Sequence, residues 1–373
     1  MKLNELGVYH FANRHEVKAL FGLSYKKQSV GDQEKNMDFK MNKKILAIAI
    51  AATTTFGAQA FELYNEDGTT FSISGHVSAN LNGGDKIVVK GKEVDKKTEV
   101  GTTSSRINMT ATQELDNGFT VDARGEWALN FLNGGENSFT TRLGYMGLTH
   151  EDLGRAVVGT QWAPYYDVAS VTDMPIAFAN GFLYSGVEGA GFTKTGQTRA
   201  DKMVSYRNGV ELGDAGSIGF GAGWQGAEHP TGQRAQIALT YSVAGAQLGY
   251  AYNTGTVSGD DVTFNVLSAK YGSYGNGLYV AGIYQMTEEK NLDTDSYEVV
   301  AAYALPSSLN FSINYEVVEA DAKGVRSVTE TEVMAINAEY NFAPNVVGYT
   351  GYQFDLNDNS NTDAWALGAR IYL

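Results

Sequence analysis

The feature that most constrains this chain is a side-chain alternation of period two that recurs from Phe71 to its last residues. Phe71, Ile73, Gly75, Val77, Ala79 and Leu81 share one parity, with Ser72, Ser74, His76, Ser78 and Asn80 on the other. Phe119, Val121, Ala123, Gly125, Trp127, Leu129 and Phe131 repeat the pattern, as do Ile218, Phe220, Ala222 and Trp224. So do Ala235, Ile237, Leu239 and Tyr241, and then Leu309, Phe311, Ile313, Tyr315 and Val317. Successive side chains of a strand point to opposite faces, whereas a helix repeats every 3.6 residues, so the chain reads as all-β.

Between these runs stand seven short turn signals: Asp116-Asn117-Gly118, Asp152-Leu153-Gly154, Asp214-Ala215-Gly216, Ala244-Gly245, Gly275-Asn276-Gly277, Pro306-Ser307-Ser308 and Ala343-Pro344-Asn345. They alternate with eight longer polar stretches, near 82–103, 133–138, 163–200, 226–231, 255–260, 287–294, 319–329 and 357–361. Fifteen connections join sixteen strands. A soluble sandwich buries its apolar faces and wets its polar ones, and rarely alternates long and short connections so regularly. A membrane barrel turns apolar residues to lipid and polar ones to a watery lumen, with short turns at one rim and long loops at the other. The expected fold is therefore a 16-stranded antiparallel transmembrane β-barrel.

Backbone chemistry points the same way, because in hydrocarbon every N–H and C=O must pair, and only helices and closed sheets achieve this. Pro164, Pro175, Pro230, Pro306 and Pro344 all fall in loops or turns, where no ladder donor is lost. Tyr and Trp favour the two bilayer interfaces, and the 22 Tyr and 4 Trp supply such girdles. Trp127, Trp224, Tyr241, Tyr315, Tyr340 and Trp365 are the outward candidates.

The amino terminus stands apart. From Met41 the chain reads MNKKILAIAIAATTTFGAQA, a basic start, a short apolar run and a small-residue end, the layout of a secretory signal peptide cut after Ala60. The apolar run is too short to cross a bilayer. Residues 1–40 precede that signal and read as an upstream extension from a misassigned start, leaving 61–373 as the barrel. Residues 1–60 carry 9 bases and 5 acids of the chain's 28 and 42, so the remaining 313 residues hold a charge of -18. That balance excludes nucleic acid as a bulk-charge partner, and the absence of cysteine excludes disulfide scaffolds and thiolate metal sites.

No catalytic or cofactor motif emerges. His76, His150 and His229 are the only histidines after residue 60, and none stands beside an evident nucleophile. Asp355-Leu356-Asn357-Asp358-Asn359 begins like a calcium loop, but Ser360 replaces the required Gly and Ala366 the terminal Glu, so no metal is assigned. Gly219, Gly221 and Gly223 alternate along a strand with no helix after them, which excludes a phosphate cradle.

Taken together, ELYNEDGTTFSISGHV, TRLGYMGL, LGRAVVGTQWAPYYDV, DKMVSYRN and the closing AWALGARIYL resemble the general diffusion porins of Gram-negative outer membranes. The resemblance implies a homotrimer in the outer membrane whose third loop folds into the lumen and narrows it. The partners it implies are outer-membrane lipid and lipopolysaccharide, with ions and small hydrophilic solutes passing through. The chain departs from the family by ending on Leu373 rather than Phe, and by reading IAFANGF after Pro175 instead of a Pro-Glu-Phe-Gly-Gly stretch.

For the constriction, a basic wall of His76, Arg106, Arg124, Arg142 and Arg207 is expected, Arg124 lying on the polar face of its strand and the others matching family positions. Opposing acids are Asp167, Asp173 and Glu188 of the third loop. Histidine charges below about pH 6.5, so His76 would add charge to this wall in acid. The charge of -18 leans toward a slight cation preference. Two alternatives stay open: a solute-selective porin using Phe178, Phe182, Tyr184 and Phe192, and a barrel serving chiefly as an adhesin or phage receptor.

Overall fold

The alternating segments pair with their sequence neighbours around a ring. The computed structural model describes residues 60–89, 92–95, 97–132, 138–179, 181–187, 189–322, 328–357 and 363–373. In chain order the strands are β1 (Phe61–Glu66), β2 (Thr69–Gly84), β3 (Lys86–Val89), β4 (Lys92–Asp95), β5 (Glu99–Gly101), β6 (Arg106–Glu114), β7 (Phe119–Leu129), β8 (Phe139–His150), β9 (Gly154–Trp162) and β10 (Arg199–Glu211). There follow β11 (Ser217–Gln225), β12 (Thr231–Val243), β13 (Ala246–Val257), β14 (Asp260–Ser273), β15 (Asn276–Glu288), β16 (Leu292–Ala304), β17 (Leu309–Ala322), β18 (Val328–Ala343), β19 (Val346–Asp355) and β20 (Ala364–Tyr372).

Sixteen of these, β2 and β6 to β20, form the closed antiparallel wall. The seam lies at β2, whose upper half, His76–Gly84, pairs with β20 while Thr69–Ile73 pairs with β1. The final strand and the first thus lie end to end along one edge of β2, and past β20 the Leu373 N–H still donates to Gly75 O of β2 at 3.0 Å. The β2–β20 pairing closes the ring, as a spanning sheet requires.

The two faces are inverted relative to a soluble sheet. Leu239 and Phe311 stand outward, 54% and 47% exposed, while Gln236, Asn253, Ser312 and Asn314 are buried inside. So extensive an apolar exterior around a polar interior is stable only with hydrocarbon outside and water inside.

Turn chemistry closes the hairpins. Asp67-Gly68 and Ala244-Gly245 each place both central residues at positive φ (50° and 72°; 49° and 82°), the geometry that matches strand twist. The stretch expected as a loop over 255–260 contracts to a turn of the same kind at Ser258-Gly259, with β13 and β14 pairing up to Val257 and Asp260. The first long connection carries the small β3–β4 hairpin. Residues 1–59, and with them nearly all of the expected signal segment, lie outside the described residues.

Candidate functional site

The third loop leaves the wall at Trp162 and runs inward. Pro164 opens α1 (Pro164–Ala169) at a position where its missing N–H costs nothing. Beneath it the wall has no side chains: a Cβ on Gly221 or Gly223 would meet Pro164 at 3.2 Å. The alternating glycines of β11 therefore serve close approach of the loop. α1 packs on β12 to β14, where Tyr165, Val168 and Ala169 join Phe264, Val266, Tyr279, Ile283 and Val300 in a buried cluster. Each large apolar side chain so buried contributes about 1.5–3 kcal/mol.

Inner-wall side chains then satisfy the loop's backbone, which no ladder can do. Gly181 N–H donates to Glu316 Oε2 at 2.6 Å, Ile176 N–H to Glu339 Oε1 at 2.8 Å and Phe178 N–H to Asn337 Oδ1 at 3.2 Å. On the return, α2 (Phe192–Thr195) ends at Gly196 in the left-handed region (φ 66°). Asn253 Nδ2 donates to Thr195 O and Gln236 Nε2 to Gly196 O, both at 2.8 Å. Buried backbone groups demand such partners, so the polar lumen face of β12 to β18 is what holds the loop across the barrel.

Opposite the loop, three arginines from adjacent strands converge on one carboxylate. Arg142 Nε and Arg124 Nη2 lie 3.0 Å from Glu126, and Arg106 Nη1 lies 3.5 Å away. Arg142 reaches this cluster through a bulge: Glu126 pairs with Leu143 and Trp127 with Thr141, leaving Arg142 as the extra residue. Strict alternation with Leu143 and Tyr145 would have turned it to lipid. Arg199 joins from β10, donating to Arg142 O at 3.3 Å with its guanidinium over the Phe192 ring. Arg370 joins from β20, donating to Ser78 Oγ at 3.0 Å and Thr103 O at 3.2 Å.

The expected site residues separate into groups. Arg106, Arg124 and Arg142 come together as the basic wall. His76 lies behind it, 7% exposed with its ring edge-on to Tyr372, and does not face lumen water as a pH-responsive lining residue must. Arg207 and Asp167, expected on opposite sides, pair directly: Arg207 Nε to Asp167 Oδ2 is 2.6 Å and Nη2 to Oδ1 is 3.2 Å. The cause is local, because α1 sits directly over β10 and β11 and brings Asp167 onto Arg207.

Asp173 is the loop acid that stays on the lumen side. Its Oδ2 accepts the hydroxyls of Tyr166 and Tyr184, and burial pushes its carboxyl above the usual aspartate range against the pull of those hydroxyls, Arg106 and Arg142. Glu188 lies outside the described residues. Arg155 and Asp122 form a further neutral pair, at 2.6 and 2.8 Å.

Sequence reasoning missed Arg199, Arg370 and the loop-holding carboxylates Glu316 and Glu339. All but Arg199 occupy ordinary polar positions of alternating strands and carried no signal. Of the aromatics weighed for a selective path, Phe182 is in the buried cluster, Tyr184 meets Phe192 edge-on at 5.3 Å, and Phe178 lies against Gly351 of β19. His150 is engaged at a short turn, with Nδ1 accepting the Asp152 N–H at 3.1 Å.

A closed lipid-facing barrel with a loop pinned across a charged lumen defines a transmembrane pore. The Gram-negative porin family matches residues 46–360, and the chain belongs to that family. It is 27% identical to the outer membrane protein Omp-EA of Erwinia amylovora, over 86% of this chain and 95% of that protein. Its fold is similar to OmpF of Salmonella typhi, solved in complex with daunomycin, with TM-score 0.69, 22% identity, and 84% and 100% of the two chains covered. It is also similar to in-vitro folded OmpT of Vibrio cholerae in its trimer form, with TM-score 0.58, 17% identity, and 82% and 100% covered. The protein is an outer-membrane channel for passive diffusion of solutes, and its family comprises channels rather than enzymes.

Proposed function

We infer that the narrowest part of the water path lies between the wall of Arg106, Arg124 and Arg142 and the third-loop face carrying Asp173 and Tyr184, and that ions and small hydrophilic solutes cross it without a dedicated binding ladder. The observation that carries this reading is the fastening of the loop across the lumen by Glu316, Asn337 and Glu339. A loop held by inner-wall carboxylates is a fixed obstruction that sieves by size and charge. Phe182 is buried in the loop's own packing and Tyr184 and Phe192 meet edge-on, which leaves general diffusion as the favoured mode.

The assembly that fits this reading is a homotrimer seated in lipid and lipopolysaccharide, the trimer being a form recorded for the structurally similar OmpT of Vibrio cholerae. Residues 41–60 act as the export signal, 1–40 as an upstream extension and 61–373 as the channel. The protein needs no cofactor and performs no catalysis. Planar-bilayer recording of purified protein tests the reading: large ohmic openings in steps of three, unaffected by sugars, are expected. Block by one sugar at low concentration overturns general diffusion, and amino-terminal sequencing of the membrane form locates the cleavage at Phe61 or elsewhere.

A further inference from the structure

Overall charge and local charge disagree in this protein. The segment 61–373 carries -18, yet the acids nearest the constriction are largely committed to other groups. Asp167 is bonded twice to Arg207, and Asp122 twice to Arg155, so each pair is neutral to a passing ion. Glu298 and Glu316 are buried at the inner wall, and Glu316 and Glu339 accept N–H groups of the loop. The loop thus covers the acidic side of the lumen with its own backbone.

The basic side is not covered in this way. Arg106, Arg124 and Arg142 share the single carboxylate of Glu126, and their side chains keep 22%, 31% and 15% exposure. Among the described residues no carboxylate lies within ion-pair distance of Arg199 or Arg370. Three part-exposed guanidinium groups, with the buried Arg199 and Arg370 behind them (9% and 8% exposed), therefore stand against Glu126 and, across the gap, Asp173. Charges on the outer loops act weakly on an ion at the constriction, because screening at physiological salt confines their reach to about 8 Å. Groups lining the path, held against a low-dielectric wall, are screened far less.

We propose that the channel prefers anions, with Arg106, Arg124 and Arg142, supported by Arg199 and Arg370, forming the subsite through which small anions pass. This rests on the channel reading above and corrects the cation preference expected from total charge. A chloride ion or a small carboxylate can be met there by the guanidinium donors of Arg106, Arg124 and Arg142, while the Tyr184 hydroxyl across the gap is already donated to Asp173.

The test is the zero-current potential of the purified protein in planar bilayers across a potassium chloride gradient at neutral pH. A chloride-to-potassium permeability ratio above one is expected. The double variant Arg106→Gln with Arg142→Gln lowers that ratio by roughly twofold or more, as loss of charge within a few ångströms of the path demands. The charge-keeping variant Arg106→Lys with Arg142→Lys retains a ratio above one, which a merely structural role for the arginines does not predict. A ratio below one in the unmodified protein overturns the proposal, and does so even where the variants fail to assemble. Absence of any conductance steps overturns the channel reading itself, so the two failures are distinguishable.

Discussion

The carboxylate of Glu316 on β17 accepts the backbone N–H of Gly181 at 2.6 Å, a contact between residues 135 apart in sequence. It ties the inner wall to the tip of the third loop, and hydrogen bonds to a charged acceptor contribute about 1.5–3 kcal/mol. Glu316→Ala removes the acceptor and leaves the Gly181 N–H unpaired. The expected outcome is higher single-channel conductance, noisier open states and faster entry of larger sugars in liposome swelling. Glu316→Gln, whose amide oxygen can still accept, shows a smaller change. Unchanged swelling in the alanine variant would assign the fastening to Asn337 and Glu339.

The pairing of Arg207 with Asp167 predicts a different signature. The Asp167 side chain is 32% exposed, so the pair lies between the surface and buried regimes, and its disruption is expected to cost about 1–3 kcal/mol. Asp167→Asn leaves an unpaired guanidinium near the path and shifts permeability toward anions, whereas Asp167→Asn with Arg207→Gln restores the original ratio. Thermal unfolding in detergent, read by the loss of the compact gel form, reports the stability cost of each single variant and its reduction in the double one.

Asp173 predicts the pH dependence. Its carboxyl is raised above the usual aspartate range because burial disfavours the charged form more than its hydroxyl and arginine neighbours favour it. A raised pKa means that the group loses its negative charge at a higher pH than an ordinary aspartate. As pH falls through that value the loop side of the gap becomes neutral, and the anion-over-cation ratio rises. Asp173→Asn is expected to show the higher ratio at neutral pH and to lose the step. Zero-current potentials taken from pH 8 to pH 4 on both proteins check this, and an identical step in the variant would assign it to another carboxylate.

Much of this architecture was legible in the sequence, and the limits have physical causes. Parity of Phe311 and Ile313 against Ser312 and Asn314 is local information, and it gave the strands, the two faces and the positions of the short turns. Long polar runs were less decisive: Ser258-Gly259 can turn the chain in two residues, so the loop expected over 255–260 became continuous ladder. The site depended on what the sequence does not encode locally. Arg142 faces inward only because a bulge shifts its parity, and Asp167 meets Arg207 only because α1 folds over β10 and β11. Glu316 and Glu339 read as any lumen acid until the loop was seen to lean on them.

The glycines of β11 yield a further expectation. A Cβ on Gly223 would stand 3.2 Å from Pro164 Cγ and from the Met203 terminal methyl, closer than ordinary packing allows. Gly223→Leu therefore cannot be accommodated without moving α1, a steric cost of about 1–3 kcal/mol. The barrel strands keep their pairing, since the side chain enters the lumen and leaves the ladder untouched. The expected result is an unchanged β-sheet circular dichroism spectrum with an altered conductance. Equal conductance in the variant and the parent would show that the loop start does not set the width of the path.

The aromatic girdles can be located by spectroscopy. Tyr241 and Tyr340 stand near the short-turn rim, where Tyr241 donates to Ala215 O at 2.7 Å and Tyr340 pairs with Leu309. Trp224, which pairs with Val204 and Ala235, stands near the long-loop rim and is 48% exposed. Ile218, the partner of Tyr241, and Trp224 are six residues apart on β11, about 20 Å along a strand rising roughly 3.3 Å per residue. Strand tilt shortens the projection on the membrane normal, while the rings extend toward the two interfaces, in keeping with an apolar band about 25 Å tall. With Trp127, Trp162 and Trp365 replaced by Phe, the fluorescence of Trp224 in bilayers is expected to be blue-shifted. Lipids brominated near the headgroup should quench it more strongly than lipids brominated near the chain ends. Stronger quenching from the chain ends would place Trp224 at the bilayer centre and displace the whole barrel along its axis, whereas quenching by aqueous iodide alone would remove this face from lipid altogether.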